Sequence, residues 1–437
     1  MSDEGRAPAR PRRASGASAM SAVLGVDVGS NAARAVAMNR DGEVIAVGSG
    51  VYEGAEGWAQ GRAEPAAWLA AVVEAINETG VRPAAICVGG QSPTTVPMSG
   101  SPAVTVLHPA GATLGFEEQH YAQREILGTD DVAQVWDWVM ARLGANVRQS
   151  RWPGDATLRG YGRRAATGQV IGHTDGAHGL PHDIPLVAGA QDAFFAFWAG
   201  GVDTPGRALD PGGRTGGLAV AVESPQERDP HAMRSAATGV DIVGGPVSSH
   251  GLMMEWLSRL TGRPISELLD LAELVPPGAD GVSVLPYLEG ERAPRWNREL
   301  RAEITGLGSG HGPAHIARAA LESTAYGLRH ILDSLSLPAL DVLVCAGAPA
   351  RSPVWCQIKA DVLDVPVEVP EETDLAAYGA ALSAGAGAGW WPLPGDAPSG
   401  SWPRPAGRVV RPVPRQVYRD GYKRFVESGD AAERRLR

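Results

Sequence analysis

The residues best placed for chemistry include two aspartates that each lie next to a short apolar run. Asp27 lies within VLGVDVGS, just before the turn formed by Gly29, Ser30 and Asn31. The backbone N–H groups of such a turn can point together at a phosphate, and a neighbouring carboxylate suits a hydrated Mg²⁺ that bridges phosphate oxygens. An aspartate before a glycine turn is also a good turn former, so this pattern leaves both interpretations open.

The second aspartate, Asp192, follows PLVAGAQ and precedes the apolar segment AFFAFWAGG. At such a junction of strand and helix, its side chain can cap the helix by accepting backbone N–H bonds. The same position places a carboxylate at the mouth of a sheet, where it can accept a hydroxyl proton as that oxygen attacks a phosphate. Both hypotheses stand at this stage.

A dense glycine cluster follows Asp192 along the chain. Its members surround Arg214 and Thr215 and are Gly212, Gly213, Gly216 and Gly217. Backbone amides in such a turn can bind phosphate, but ordinary hairpin turns have the same composition. The cluster therefore gains meaning only through its partners.

Four metal-ligating residue types lie in GHTDGAHGLPHD: His173, Asp175, His178 and His182. Their Gly- and Pro-rich setting lacks the rigid helix or strand that fixes ligand geometry. The segment is predicted to be a surface loop rather than a metal site.

The elements that must position these residues follow an α/β pattern. VLGVDVGS and the alternating run after it predict a strand and a β-hairpin or meander, followed by a helix from Glu64 to Gly80 and a buried strand, AAICVGG. A helix is predicted around 132–143, and PLVAGAQD reads as a further buried strand. The second half repeats this logic, with predicted strands at 218–222, DVLVCAGA and VPVEV and predicted helices at 252–261, 316–335, 353–363 and 375–388.

The composition VDTPGR at 202–207 is typical of a linker. We therefore predict a disordered tail over 1–20, an N-terminal domain over 21–204, a C-terminal domain over 205–395 and a tail over 396–437 with a helix at 416–427.

Bulk composition excludes several classes of function. The 437 residues suit two domains, and the net charge of −10 with only two lysines, Lys359 and Lys423, leaves no basic stripe for nucleic acid. No run reaches the roughly 18 apolar residues of a membrane span. The three cysteines have no metal-type spacing and predict reduced, buried thiols in a cytoplasmic protein.

Longer motifs resemble the FGGY carbohydrate kinases, with xylulokinase-like members most similar. VLGVDVGSNAARAV resembles their first phosphate-binding hairpin, AAICVGGQSPTTVPM their sugar-side strand and PLVAGAQD the strand that carries the base. LPYLEGERAPRWNRELRAEITGL resembles a signature of their second domain, and CAGAPARSPVWCQIKADVLDVPVEV their adenosine-binding segment. These matches keep the family's order from about Val23 to Gly389.

The resemblance implies an α/β fold of two ribonuclease-H-like, actin-like ATPase domains with an ATP and substrate cleft between them. It implies an enzyme that uses ATP and Mg²⁺ to phosphorylate a small sugar or polyol. With the composition, we expect no nucleic-acid or membrane partner, and a homodimer is one assembly that the sequence leaves open. Asp192 would be the general base, and Asp27 would organise Mg²⁺ through water. Sugar contacts would come from Gln91, Ser92, Pro93 and Gln191. ATP contacts would come from Gly29, Ser30, Asn31, Gly213, Arg214, Thr215, Gly216, Gly347, Ala348, Pro349 and Ser352.

Three departures keep a second hypothesis open. Arg214 and Thr215 stand where the family usually has Thr-Ser, and Pro349 interrupts a turn that is usually glycine-rich. The usual Trp-x-Asp-x-Arg sugar element is absent; Glu117, Glu118 and His120 are either replacements for its polar contacts or an exposed helix start. The alternative is a non-catalytic relative that binds a sugar or a protein.

Overall fold

The structure is a computed structural model that describes residues 21–29, 32–52, 62–92, 94–100, 103–104, 123, 125–129, 131–147, 166–222, 233–234, 241–247, 249–335, 337, 339–394, 396–398 and 400–437. Within these ranges the chain is an α/β molecule built around two large sheets. The tail predicted over 1–20 lies outside the described residues, as do Glu117, Glu118 and His120. No helix in the described ranges is long and apolar enough to cross a membrane.

The first sheet has six strands: β1 (Ala22–Val28), β2 (Ala32–Met38), β3 (Val44–Val51), β5 (Pro83–Gly90), β9 (Val170–His173) and β10 (Pro185–Val187). Their order is β3-β2-β1-β5-β10-β9. The first three strands form the predicted antiparallel meander, whereas β1, β5 and β10 run parallel. The carboxyl ends of these three parallel strands therefore meet at one edge, where α/β sheets usually bind ligands.

A helix, α1 (Pro65–Glu78), covers one face of this sheet. It buries Trp68, Val72 and Ile76 at helical spacing, as the sequence predicts. A separate four-stranded sheet consists of β4 (Arg62–Ala63), β6 (Thr95–Pro97), β7 (Ala103–Val104) and β8 (Val132–Gln134). The helix predicted at 132–143 begins only after β8, as α2 (Val135–Leu143).

The strand predicted over PLVAGAQD is shorter than expected. β10 ends at Val187, and residues 188–191 leave the sheet before α3 (Asp192–Ala199). A side chain at Gly189 would place its Cβ 1.9 Å from the Val88 carbonyl oxygen, so glycine is required for this close exit past β5.

The second sheet has seven strands: β11 (Arg207–Asp210), β12 (Leu218–Val222), β13 (Met233–Arg234), β14 (Asp241–Gly245), β17 (Val342–Cys345), β18 (Val367–Pro370) and β19 (Gly407–Val410). Their order is β13-β14-β12-β11-β17-β18-β19, and β11, β17 and β18 run parallel. A separate pair joins β15 (Ser283–Leu285) and β16 (Glu303–Thr305).

Helices of the second half are α4 (Gly251–Thr261), α5 (Ile265–Glu273), α6 (Pro313–Ser334), α7 (Gly347–Ala350), α8 (Pro353–Leu363), α9 (Leu375–Gly387) and α10 (Gln416–Arg435). The segment predicted as a tail supplies the predicted helix, α10, and also a strand that was not predicted, β19. The last helix continues to Arg435 rather than ending at Glu427, since Phe425, Gly429 and Ala432 keep one of its faces buried.

Two helices, α3 and α9, lie between the large sheets and share a core with residues of both. Although α9 follows strands of the second sheet, it packs mainly on β1 and β5 of the first. This packing requires Gly25 on β1, because a Cβ there would lie 2.0 Å from the backbone nitrogen of Ala381. The helix thus brings its amino-terminal end to the carboxyl edge of the first sheet.

Candidate active site

The first predicted acid, Asp27, lies near the end of β1, opposite Arg34 on β2 and Gly89 on β5. Its Oδ1 atom is buried and has no hydrogen-bond partner in the described part of the chain. A buried oxygen without a partner is costly, so a bound ion or donor here would be stabilising.

The turn after Asp27 is described only at Gly29. Its N–H donates to the carbonyl of Ala32, and its own carbonyl accepts the Tyr52 hydroxyl at 2.9 Å. Ser30 and Asn31, predicted to contact ATP, lie outside the described residues. The predicted phosphate contact of this turn therefore remains a prediction.

The second predicted acid, Asp192, is the first residue of α3, and Gln191 rather than Asp192 occupies the N-cap position. The Asp192 carboxylate accepts the adjacent Ala193 N–H at 2.6 Å. Gln191 forms a parallel bridge with Gly90 at the end of β5. Asp192 therefore begins its helix at the same sheet edge as Asp27.

A third carboxylate, which the sequence interpretation missed, joins these two. Asp374 caps α9 by accepting the Ala377 N–H at 3.3 Å, and its Oδ2 lies 3.4 Å from Arg34 Nε. It is close enough to affect the ionisation of both Asp27 and Asp192. An aspartate directly before the apolar run LAAYGAAL is an N-cap signal that the sequence does contain.

Burial is the largest influence on these acids, and their mutual repulsion adds to it. Burial raises the pKa of Asp192 to about 6; the Ala193 hydrogen bond opposes this rise and the charge of Asp374 reinforces it. Burial also raises the pKa of Asp27 well above its usual range, Asp374 and Asp192 raise it further, and Arg34 lowers it. Acids that raise one another's pKa favour a bound cation.

The acidic group fits a hydrated cation. In the ranges that the structure describes, no three acidic, histidine or cysteine side chains are arranged to hold a metal ion. Mg²⁺ commonly binds through one or two carboxylates and keeps several waters. The unpartnered Oδ1 of Asp27 suits a contact of this kind. His173 is the last residue of β9, whereas Asp175, His178 and His182 lie exposed in the segment between β9 and β10, so the surface loop predicted here begins only after His173.

Two of the predicted sugar contacts lie beside the acids. The Gln91 N–H donates to the carbonyl of Val28 at 3.0 Å, while its side-chain Nε2 is buried without a hydrogen-bond partner in the described chain. Ser92 Oγ lies 3.4 Å from Gln134 Oε1. Pro93 lies outside the described residues. Polar atoms at the end of β5 thus lie at the same edge as Asp27.

The predicted phosphate turn of the second lobe joins β11 to β12. Its four glycines have positive φ angles that other residues rarely adopt: Gly212 (68°), Gly213 (78°), Gly216 (65°) and Gly217 (158°). Arg214 is a residue of this turn, and its exposed side chain pairs through Nε with Glu255 Oε2 on α4 at 3.0 Å. Gly213 is exposed and has open space where a side chain would be.

The predicted adenosine turn follows β17 and contains α7. Pro349 lies in the first turn of this short helix, where a backbone N–H has no intrahelical partner, so the missing donor costs no helical bond. Ala348 is exposed, and Ser352 caps α8 by accepting the Trp355 N–H at 3.4 Å.

One continuous edge connects these features. The Gly347 N–H donates to the carbonyl of Thr373 at 2.9 Å, and Thr373 directly precedes Asp374. On its other side, a Cβ on Gly347 would lie 3.2 Å from the Gly213 nitrogen. The structure therefore places both glycine turns of the second lobe next to the acidic group.

Comparison with known proteins shows a family match in the second half of the chain. Residues 215–388 match the FGGY family of carbohydrate kinases, C-terminal domain. Gluconokinase of Bacillus subtilis (strain 168) is 30% identical over 222 residues, which cover 47% of this chain and 43% of that protein. Glycerol kinase of Gloeobacter violaceus is 33% identical over 261 residues, which cover 57% of this chain and 51% of that protein. Xylulose kinase of B. subtilis is 27% identical over 232 residues, covering 51% and 46%. The matches thus span about half the length of these curated relatives.

Solved structures match over nearly the whole chain. Gluconate kinase from Lactobacillus acidophilus has a TM-score of 0.73 at 19% identity and covers 94% of this chain and 98% of its own. Xylulose kinase from Rhodospirillum rubrum has a TM-score of 0.69 at 24% identity, and the match covers 94% of this chain and 99% of that protein. The predicted fold, two actin-like lobes, is confirmed by this likeness.

Proposed function

We propose that the protein transfers the terminal phosphoryl group of ATP to a hydroxyl of a small sugar or polyol, because residues 215–388 match the C-terminal domain of the FGGY family of carbohydrate kinases. The observation that carries this proposal is the continuous edge on which Asp27, Asp192 and Asp374 lie beside two glycine turns. Phosphoryl transfer chiefly requires that both substrates are positioned and that the phosphate charge is neutralised.

Asp192 is the proposed general base. Its pKa of about 6 leaves it mostly ionised at neutral pH, yet basic enough to accept a hydroxyl proton as the oxygen attacks. Its place at the start of α3 fixes the carboxylate close to the polar groups of Gln91 and Gln191. The substrate hydroxyl would lie between Asp192 and the terminal phosphate.

Asp27 and Asp374 are proposed to hold Mg²⁺ through water. When bound, the ion would neutralise charge on the phosphates of ATP. The exposed amides around Gly213 would cradle the terminal phosphate, and the turn from Gly347 to Ser352 would hold the adenosine.

Gln91, Ser92 and Gln191 support a polyhydroxy substrate, because amide and hydroxyl groups can both donate to and accept from sugar hydroxyls. The relatives are named for gluconate, glycerol and xylulose. We favour a xylulokinase-like substrate within this class. We also propose a cytoplasmic location, because Cys87, Cys345 and Cys356 are free thiols.

A non-catalytic sugar-binding relative is the second candidate, suggested in the sequence by Arg214 and Pro349. Arg214 pairs with Glu255 at the surface and leaves the Gly213 side of the turn open. Pro349 is buried within α7 and costs no helical bond. Neither residue blocks the edge, which supports the enzyme.

The test measures ADP release with MgATP across ketoses, aldoses, sugar acids and polyols. We expect turnover on at least one of them and a loss of about 10²- to 10⁴-fold in kcat for Asp192→Asn, with ATP affinity retained. No turnover on any substrate together with no ATP binding would refute the proposal, and ATP or sugar binding without turnover would favour the second candidate.

A further inference from the structure

Beneath the phosphate turn lies a buried polar cluster for which the proposed reaction has no direct use. Its side chains are those of Asp210, Lys359 and His250, and each has 0% exposure. Lys359 Nζ lies 2.5 Å from Asp210 Oδ2, and His250 Nε2 lies 3.5 Å from the same oxygen. Lys359 is one of only two lysines in the 437 residues.

The other oxygen of Asp210 holds the phosphate turn. Asp210 is the last residue of β11, and its Oδ1 accepts the Gly212 N–H at 3.0 Å. Gly212 begins the turn, and its carbonyl accepts the Gly216 N–H at 3.1 Å. The carboxylate is therefore the anchor of the turn on its strand.

The lysine connects this anchor to the adenosine segment. Lys359 lies in α8, the helix that follows the adenosine turn, and its Nζ also lies 3.2 Å from Cys345 Sγ at the end of β17. Trp355, one turn earlier in α8, stacks on His250 at 4.8 Å between ring centroids. A Cβ on Gly216 would lie 2.4 Å from His250 Nδ1, so the imidazole packs directly under the turn.

The charges within the cluster are complementary. Burial alone would raise the pKa of Asp210, but the neighbouring His250 and Lys359 side chains and the hydrogen bonds from Lys359 and Gly212 outweigh burial and lower it. Burial alone would lower the pKa of Lys359, but Asp210 outweighs burial and raises it. Burial lowers the pKa of His250 to about 4, so its ring is neutral at pH 7. The cluster thus holds one cation and one anion.

A buried ion pair of this kind is poor evidence of a stabilising role, since apolar replacements of similar shape are often as stable. We propose that Lys359 is a positioning residue for ATP. Through its contact with Asp210, Lys359 fixes the phosphate turn relative to the adenosine segment. This inference rests on the proposed function. The ion pair would keep the phosphate-binding and adenosine-binding parts of the site at a fixed distance from each other.

The test replaces both charges by apolar groups of the same shape, Asp210→Leu together with Lys359→Met. This pair leaves no buried charge alone, so we expect the variant to fold and to keep its affinity for adenosine. MgATP should bind about tenfold more weakly. The variant lacks the charge-assisted hydrogen bond that holds the phosphate turn, and this turn is proposed to contact only the phosphates. Calorimetry with adenosine and with MgATP measures both affinities, and the KM for ATP should rise while the KM for the sugar stays unchanged.

The same lobe offers a matched control. Glu322 accepts the N–H of Gly278 and the Nε of Arg318, and both side chains are buried, but the other polar contacts of Arg318 are with Ala272 and Tyr418. Arg318→Met with Glu322→Met removes an equivalent buried pair away from the phosphate turn. It should leave the ratio of MgATP to adenosine affinity unchanged.

Equal losses for adenosine and MgATP, or no loss for either, would overturn the positioning role. If the double variant does not fold, hydrogen exchange on the wild-type protein decides: adenosine alone should slow exchange at Gly212 and Gly216, and unchanged exchange there would overturn the inference. A wild-type protein that binds no MgATP would refute the proposed function, and the inference with it. If MgATP binds the wild-type protein and the double variant equally well, the inference is refuted but the proposed function is not.

Discussion

Asp192 owes its proposed reactivity to its surroundings. Burial, reinforced by Asp374, raises its pKa to about 6. A base must be ionised to accept a proton, so lowering the pH through this value removes the active form. We expect kcat/KM to be level above this pKa and to fall about tenfold per pH unit well below it. Initial rates of ADP release against pH check this, and a profile that stays flat well below pH 6 would contradict the assignment.

Asp374 should shift that profile through its charge. Removing a neighbouring negative charge lowers the pKa of a carboxyl group. In Asp374→Asn, the acid limb of the kcat/KM profile should therefore move to lower pH. Glu371→Gln, at an exposed position nearby, is the control and should leave the limb in place. A limb that moves to higher pH in Asp374→Asn would show that repulsion does not govern Asp192.

Sequence patterns located Asp27 and Asp192 because each lies next to an apolar run beside a turn or helix start, a position that can be recognised locally. Asp374 has a similar local signal, but its partners lie on the other large sheet. No pattern in LAAYGAAL shows that its helix packs on β1 rather than on its own sheet. The Asp210 and Lys359 pair was missed for the same reason, since 149 positions separate the two residues.

Among the elements, α9 packs against β1 so closely that it requires a glycine there, Gly25. A Cβ on Gly25 would lie 2.0 Å from the Ala381 nitrogen and 2.1 Å from the Ala377 carbonyl oxygen. Overpacking of this kind usually costs about 1–3 kcal/mol, and here backbone atoms would have to move. We expect Gly25→Ala to lower the free energy of unfolding by about 3 kcal/mol or to prevent folding.

Urea unfolding followed by circular dichroism measures this loss. Gly310→Ala is the matched control, because a Cβ there meets no atom within 4 Å and the residue has no positive φ. Its effect should stay within about 0.5 kcal/mol. Equal stability of both variants would mean that α9 does not contact β1 closely.

Elements that contain several apolar residues between clear stop signals were predicted well, and some of the shortest strands were not. The helix at 353–363 and the strand at 218–222 have the predicted bounds, since each shows several apolar residues between clear stop signals. The two-residue β7 and the four-residue β19, with the sequence GRVV, are too short for a period to be visible. β19 exists because β18 offers it a partner, which is a tertiary cause.

At the scale of the whole molecule, both lobes contribute to the proposed nucleotide site, so ligand binding should stabilise the fold as a unit. MgATP at about 100 times its Kd should add about 2.7 kcal/mol to the free energy of unfolding. Thermal unfolding with MgATP, with ATP and EDTA, and with Mg²⁺ alone checks this. The largest rise in Tm is expected with MgATP, and no rise would contradict the site.

The division near residue 205 and the homodimer stay predictions. Light scattering on the purified protein determines the number of subunits.

The burial of Lys359 also gives the molecule a natural chemical reporter. Lys423, the only other lysine, has a side chain 77% exposed, so amine-reactive reagents should acylate it at once in the folded protein. Lys359 can react only when the interior around β11 and α8 opens. Mass spectrometry can compare the slow acylation rate of Lys359 with the fast rate of Lys423. The slow rate would therefore report how often the nucleotide lobe opens, without any engineered label.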